Sequence, residues 1–179
     1  MTERHSFPIR PVHIILALSL AFGGRALIQT LFDKSVHHGP WYNVNVPVGW
    51  EKTVDGEQVT FTSPEKDVFT EAPLAIFTIY AKKSTGALFI EDLMIEILES
   101  LPKLGAELID KGEIKIDNQI SKWVLYRHKD SEMVVLSFFM VDDFNRLTKL
   151  EMVTTTKKFN QYKPEFEKFK ASFKFTGIR

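Results

Sequence analysis

The stretch "KKFNQYKPEFEKFKASFKF", residues 157–175, decides the fold, because its six lysines and six aromatic rings admit two incompatible readings. As a binding strip, the lysines would track phosphates while the rings stacked on bases. As a helix, the rings would be core and the lysines would face solvent. Spacing separates the two. Phe159, Tyr162, Phe166, Phe169 and Phe173 follow one another at intervals of three, four, three and four residues, which puts all five on one helical stripe. Lys157, Lys158, Lys163, Lys168 and Lys170 fall elsewhere. Burying a ring contributes about 1.5–3 kcal/mol, far more than an exposed ring gains without a ligand. The stretch therefore reads as a core helix. Pro164 suits the first position of its main segment, after a short turn at 157–162.

Five rings need a surface to cover, and the preceding residues supply one. Four strands are predicted at Ala106–Ile116, Ile120–His128, Met133–Val141 and Arg146–Thr155, separated by "DNQ", "KDSE" and "DDFN". Those connections are turn-forming, so the four strands read as an antiparallel meander. "VVLSFFMV" is apolar on both faces and reads as a central strand. In "LFIEDLMIEILESLPKL" the period changes: Phe89, Ile90, Leu93, Met94, Ile97, Leu98, Leu101 and Leu104 form a helical stripe over 88–104. Pro102 ends or kinks this helix, and Gly105 lets the chain leave it.

Farther upstream, "PLAIFTIYA" sets Leu74, Ile76 and Tyr80 against Phe77 and Ile79, the pattern of a central strand covered on both faces. "EQVTFTS" alternates Val59 and Phe61 with threonines, and "YNVNV" puts Tyr42, Val44 and Val46 on one face. Pro47 and Gly49 then turn the chain so that Trp50 packs back. A sheet with two apolar faces and two helical patterns implies an α/β/α sandwich with a mainly antiparallel sheet.

Ahead of this domain, at 41–179, stand two other segments. Arg4 and Arg10 precede an apolar run from Val12 to Phe22, the pattern of an export signal. Carried on to Phe32, the run reaches 21 residues and is long enough to span a bilayer as an uncleaved anchor. Alternatively, Ala21 and Gly23 suit cleavage after Gly23, and a soluble or amphipathic segment is the third reading. With Arg4 and Arg10 holding the N-terminus in the cytoplasm, the domain is expected on the far side of a bacterial inner membrane, or in the periplasm if the signal is removed. "DKSVHHGP", 33–40, reads as a linker. Its Asp33, His37 and His38 read as a polar spacer rather than a metal site.

Composition excludes several function classes. The chain has no cysteine, hence no disulfide, thiolate metal site, catalytic thiol or lipidated N-terminal cysteine. Lys plus Arg equals Asp plus Glu at 23 each, so no overall field attracts nucleic acid or an anionic membrane. Glu91, Asp92, Glu96 and Glu99 lie off the helical stripe and read as a solvated face. His128, Asp130 and Ser131 are neighbours at a hairpin end, a poor basis for a triad, which needs a base held between nucleophile and acid. No phosphate loop or paired metal-ligand motif occurs. No catalytic, cofactor or metal residue is therefore assigned.

The opening "YNVNVPVGWEK", the two-faced strand, the single helix, the meander and the closing "TTTKKFNQYKPEFEKFKASFKF" resemble the PsbP-like family, which includes the photosystem II extrinsic subunit and bacterial DcrB-like envelope proteins. The resemblance covers about residues 41–175. It implies an α/β/α sandwich and a non-enzymatic accessory protein attached to a membrane complex. Many bacterial relatives are lipoproteins, and this chain has no cysteine to lipidate. No serine-rich, acid-poor transit peptide is present, so a photosynthetic role does not carry over. The expected function is binding or assembly of an envelope or membrane protein complex. The alternative is a carrier or sensor of a small apolar ligand held between helix and sheet.

Overall fold

The computed structural model describes residues 35–177. The chain divides into two units, Met1–Val36 and His37–Arg179, and the second contains the seven-stranded sheet and both helices described below. The anchor or signal reading of residues 1–32, and Asp33, lie outside the described residues.

Seven strands form the main sheet in the order β3-β4-β5-β9-β8-β7-β6. They are β3 (Glu51–Asp55), β4 (Gln58–Thr62), β5 (Ala75–Lys83), β6 (Ala106–Ile116), β7 (Gln119–His128), β8 (Met133–Val141) and β9 (Arg146–Thr155). All neighbours pair antiparallel. A smaller sheet has the order β1 (Val36–His38), β2 (Tyr42–Asn45) and β10 (Lys174–Phe175). The helices are α1 (Ile90–Lys103) and α2 (Phe159–Ser172).

Register fixes the two faces. Phe61 pairs with Phe77, Phe77 with Met152, and Met152 with Leu136, so these side chains share one face. Phe166 and Phe169 of α2 cover it, at 0 % and 2 % exposure, with Tyr42 and Val44 of β2 beside them. Phe139 and Val124 point to the opposite face, where α1 packs through Met94, Leu93 and Ile97. Helix, sheet and helix make the expected three layers, and Val134–Met140 of β8 are buried on both sides.

The β6–β7 turn follows from Asp117 and Asn118, both at positive φ (47° and 68°) between paired Ile116 and Gln119. That is the geometry of a type I′ turn, which these residue types tolerate best after glycine. The Asp117 carboxylate also accepts the Phe175 backbone N–H at 2.7 Å, tying β10 to this hairpin.

Several expectations are corrected. α2 is one continuous helix from Phe159, with Pro164 inside it. Proline there removes the donor for the Asn160 carbonyl; both residues are exposed, so water can satisfy it. Lys170, grouped with the outward lysines, is 7 % exposed. It stands four residues after Phe166 and three before Phe173, on the stripe itself, with its stem buried and its ammonium over the Phe138 ring. β5 is not covered by a helix on both faces: α1 packs over β6–β8, while Ile76 and Tyr80 stay half-exposed. Tyr80 instead donates to Glu57 at 2.9 Å.

The stretch read as a spacer supplies β1, where His37 is buried against Tyr42 and Phe61. Burial first, then Lys52 and His38, lowers the His37 pKa, which favours its neutral form. β3 had no sequence expectation because all five of its residues are exposed and no alternation marks it.

Candidate functional site

Two features have the geometry of binding sites. The first is a cleft of about 200 Å³ between α2 and the β6–β8 side of the sheet. Ile114, Trp123, Leu125, Leu136 and Phe138 form its sheet side, and Phe159, Lys163, Glu167 and Lys170 its helix side, with Asp110 at the edge. Trp123 lies across its neighbour strand because the paired position is Gly112: a Cβ there would stand 2.9 Å from the indole. Trp123 and Phe138 sit 6.4 Å apart by centroid. Two cations meet this aromatic surface. Lys170 Nζ lies 4.3 Å from the Phe138 centroid and pairs with Glu167, and Lys163 Nζ lies 5.8 Å from that of Phe159. Such placements are stabilising through the ring quadrupole.

The second feature is the end of the domain where β3 begins and β4 stops. Val48, Val68 and Phe69 are 94 %, 88 % and 93 % exposed, and no other large apolar side chain among the described residues exceeds 64 %. The turns that carry them are fixed. Gly49 at φ +79° closes the β2–β3 turn, with the Trp50 N–H donating to the Pro47 carbonyl at 3.2 Å. Trp50 anchors that turn, its ring tilted against Phe77 at 4.2 Å between centroids and its indole N–H donating to Glu165 at 3.1 Å.

In the β4–β5 loop, Asp67 Oδ1 accepts the N–H groups of Phe69 and Thr70 and the Thr70 hydroxyl, at 2.9–3.0 Å. Glu65 ties the loop to α2, accepting from the Tyr162 hydroxyl at 2.7 Å and from Gln161 at 3.0 Å. The Tyr162 bond holds the Glu65 carboxyl below its usual range; burial and then this bond push Tyr162 up to about 12. A groove of about 470 Å³ runs beside Val46, Pro47 and Val48 along Gln161, Pro164 and Lys168. Trp41, by contrast, packs on Thr148 and Arg146 at the opposite end of the sheet.

The loop makes a pH prediction. Backbone N–H groups of Thr70 and then Phe69, followed by the Thr70 hydroxyl, lower the Asp67 pKa from its ordinary 3.8. Because the folded value is the lower one, the turn keeps its full stabilisation above 3.8 and loses it as pH falls through that folded value. Amide chemical shifts of Phe69 and Thr70 should hold steady from neutral pH to the ordinary carboxylate range and move together below it. Movement well above that range would contradict the Asp67 cap.

The residues weighed for chemistry do not converge. His128 is half-buried with its ring 5.7 Å from Tyr126, and Asp130 and Ser131 are exposed. No hydrogen bond joins His128 to either. All three line an open polar depression of about 520 Å³ with Arg127, Lys129 and Lys157. Among the described residues no group of three metal-ligating side chains is assembled, and no helix is long and apolar enough to cross a membrane. Glu91, Asp92, Glu96 and Glu99 are exposed, Glu91 pairing with Lys122 at 3.1 Å. Sequence reasoning missed Lys170, whose place on the aromatic stripe was the available signal. It also missed Val68 and Phe69, which sit in a loop without periodicity.

No family model matches the chain, and no curated protein matches it. Solved structures do. LpqN of Mycobacterium tuberculosis, involved in cell envelope biogenesis, superposes with a TM-score of 0.61 at 12% identity, over 79% of this chain and 88% of that one. Cyanobacterial PsbP (CyanoP) of Synechocystis gives 0.58 at 17% identity, over 78% and 91%. The Ran-binding protein Mog1p of Saccharomyces cerevisiae gives 0.50 at 12% identity, over 76% and 90%. Matches this extensive at so little identity share architecture, an antiparallel sheet between helices that each bury one apolar stripe. The chain has the PsbP-like fold.

Proposed function

We propose that this protein is a non-enzymatic accessory protein of the cell envelope, held to a bacterial inner membrane by its N-terminal segment, and that its domain binds or helps assemble an envelope or membrane protein complex. The observation that carries the reading is the end bearing Val48, Val68 and Phe69. Nearly full exposure of three large apolar side chains is costly in water, and the hydrogen bonds around Asp67 and Gly49 hold them outward instead of letting them fold back. Rigid apolar projections lower the ordering cost of association. The fold is shared with LpqN, a protein of envelope biogenesis, and with Mog1p, which binds Ran, so it is compatible with both parts of the reading. The orientation rests on Arg4 and Arg10 ahead of the apolar run.

The test places a photoreactive side chain at position 69 of the full-length protein in native membranes, with position 109 as an exposed control. A discrete cross-linked membrane or envelope protein is expected from 69 only, and it should disappear in Val48→Asp. Equal labelling from both positions would refute the assignment of this end.

A second reading, a carrier or sensor of a small apolar ligand, is favoured by one observation: the cleft of about 200 Å³ between α2 and the sheet, with Trp123 half-exposed beside it.

A further inference from the structure

We infer that the cleft between α2 and β6–β8 is a site for a small amphiphilic anion, an apolar chain or single ring carrying one carboxylate. The inference rests on the carrier reading and adds the charge and size of the ligand. Size comes from the volume. At about 200 Å³ the cleft falls below the span of about 300–1,000 Å³ typical of drug-sized ligand sites. It holds the liquid volume of about seven waters, which suits one ring or a short chain and excludes a long acyl tail lying wholly inside. The sheet side is Trp123, Leu125, Leu136 and Phe138, a surface that gains by losing water but supplies no anion.

Charge comes from the helix. Lys163, Glu167 and Lys170 follow at intervals of four and three residues, so they share the flank of α2 that meets the cleft. Lys170 has an anionic partner in Glu167, whose side chain is 42% exposed. Among the described residues Lys163 pairs with no carboxylate, and its ammonium lies near the Phe159 ring at the cleft wall. Asp110, the other acid at the edge, turns its Oδ1 to the Lys111 backbone N–H at 2.8 Å. Two ammoniums and two carboxylates line the cleft, and among the described residues Lys163 is an ammonium with no carboxylate in ion-pair contact, beside an apolar floor. A carboxylate at Lys163 would complete there the kind of pairing that Glu167 already makes with Lys170. Lys170 is buried beside Phe138, where partial desolvation strengthens its pair with Glu167, while Lys163 offers its charge from the exposed rim.

The probes are phenylbutanoate, the neutral phenylbutanamide and the cationic phenylbutylamine, three ligands of one shape and three charges. The full-length protein, labelled with fluorotryptophan and held in nanodiscs of uncharged lipid, has three tryptophans for fluorine NMR; Trp123→Phe assigns the resonance of interest. Phenylbutanoate should move the Trp123 resonance saturably and leave Trp41 and Trp50 in place. The amide and the amine should bind at least about tenfold more weakly, the scale of one charge-assisted hydrogen bond. Lys163→Ala, a change at an exposed position that should leave the fold intact, should bring acid and amide to equal affinity. Equal affinity for acid and amide in the unmutated protein would overturn the anionic assignment while leaving the carrier reading standing. A Trp123 resonance unmoved by all three probes would overturn both.

Discussion

Phe166→Ala should cost about 3–5 kcal/mol of stability, the range for emptying a large aromatic site in a packed core. Phe166 is fully buried, with ring centroids 5.0 Å from Phe77, 6.0 Å from Phe138 and 6.0 Å from Phe169. It thus joins α2 to strands β5 and β8 at once, and the rigid sheet below leaves little room for collapse into the cavity. Since a domain is stable by about 5–15 kcal/mol in all, the change should lower the thermal midpoint sharply or leave the domain unfolded. Lys168→Ala is the matched control on the exposed flank of the same helix, expected within about half a kcal/mol of the parent. Lys170 cannot serve as that control, because its stem is buried. Thermal or urea unfolding of both variants checks the pair. Near-parental stability of Phe166→Ala would mean that the aromatic stripe is not the core.

Asp142→Asn should be about as damaging, by a different route. The Asp142 and Arg146 side chains are each 5% exposed and lie within 2.6 Å, with the guanidinium between the rings of Trp41 and Phe144 at 5.3 and 5.0 Å. Asp142 Oδ1 also accepts the backbone N–H groups of Phe144 and Arg146, both at 3.0 Å, so the carboxylate shapes the β8–β9 turn as well as balancing the charge. Asparagine keeps the volume and loses the charge, leaving Arg146 buried without compensation. Removing one partner of a buried pair costs about 3–5 kcal/mol, whereas replacing both by apolar groups of similar size is often neutral. The expected pattern is a severe loss in Asp142→Asn and partial recovery on adding Arg146→Met. Urea unfolding of the two variants provides the measurement. A single variant as stable as the parent would show that water already reaches the pair.

How far the fold was legible depended on whether a segment buries one side or none. β8, with seven consecutive buried residues, and α2, with four rings at helical intervals and a fifth at its C-cap, announce themselves because burial imposes a period. β3 has nothing to bury and β10 is two residues long, so neither leaves a pattern; pairing with β4 and β2 makes them strands. The binding features were less legible still. Phe138 lies in a strand read as central from the sequence and Trp123 had no reading of its own, and only the third dimension shows a gap between them and α2. Lys170 sat on the apolar stripe but was grouped by its charge, although a lysine stem buries readily when its ammonium finds a ring and a carboxylate. Val68 and Phe69 belong to a loop whose shape comes from Asp67, a contact between sequence neighbours with no periodic signature.

The pairing of β10 with β2 also bears on when the domain can form. Tyr42 lies opposite Phe175, and the face shared by Phe61, Phe77 and Met152 is closed by rings that the ribosome adds after the sheet's strands. At about 5–20 residues per second, synthesis leaves an interval of seconds in which the sheet's strands have been made and their main apolar face is still bare. Contacts this distant along the chain bring little stability until the loop between them closes. Folding of the domain is therefore gated by α2: a nascent chain short of it leaves the main apolar face of the sheet uncovered, and its synthesis allows the core to close.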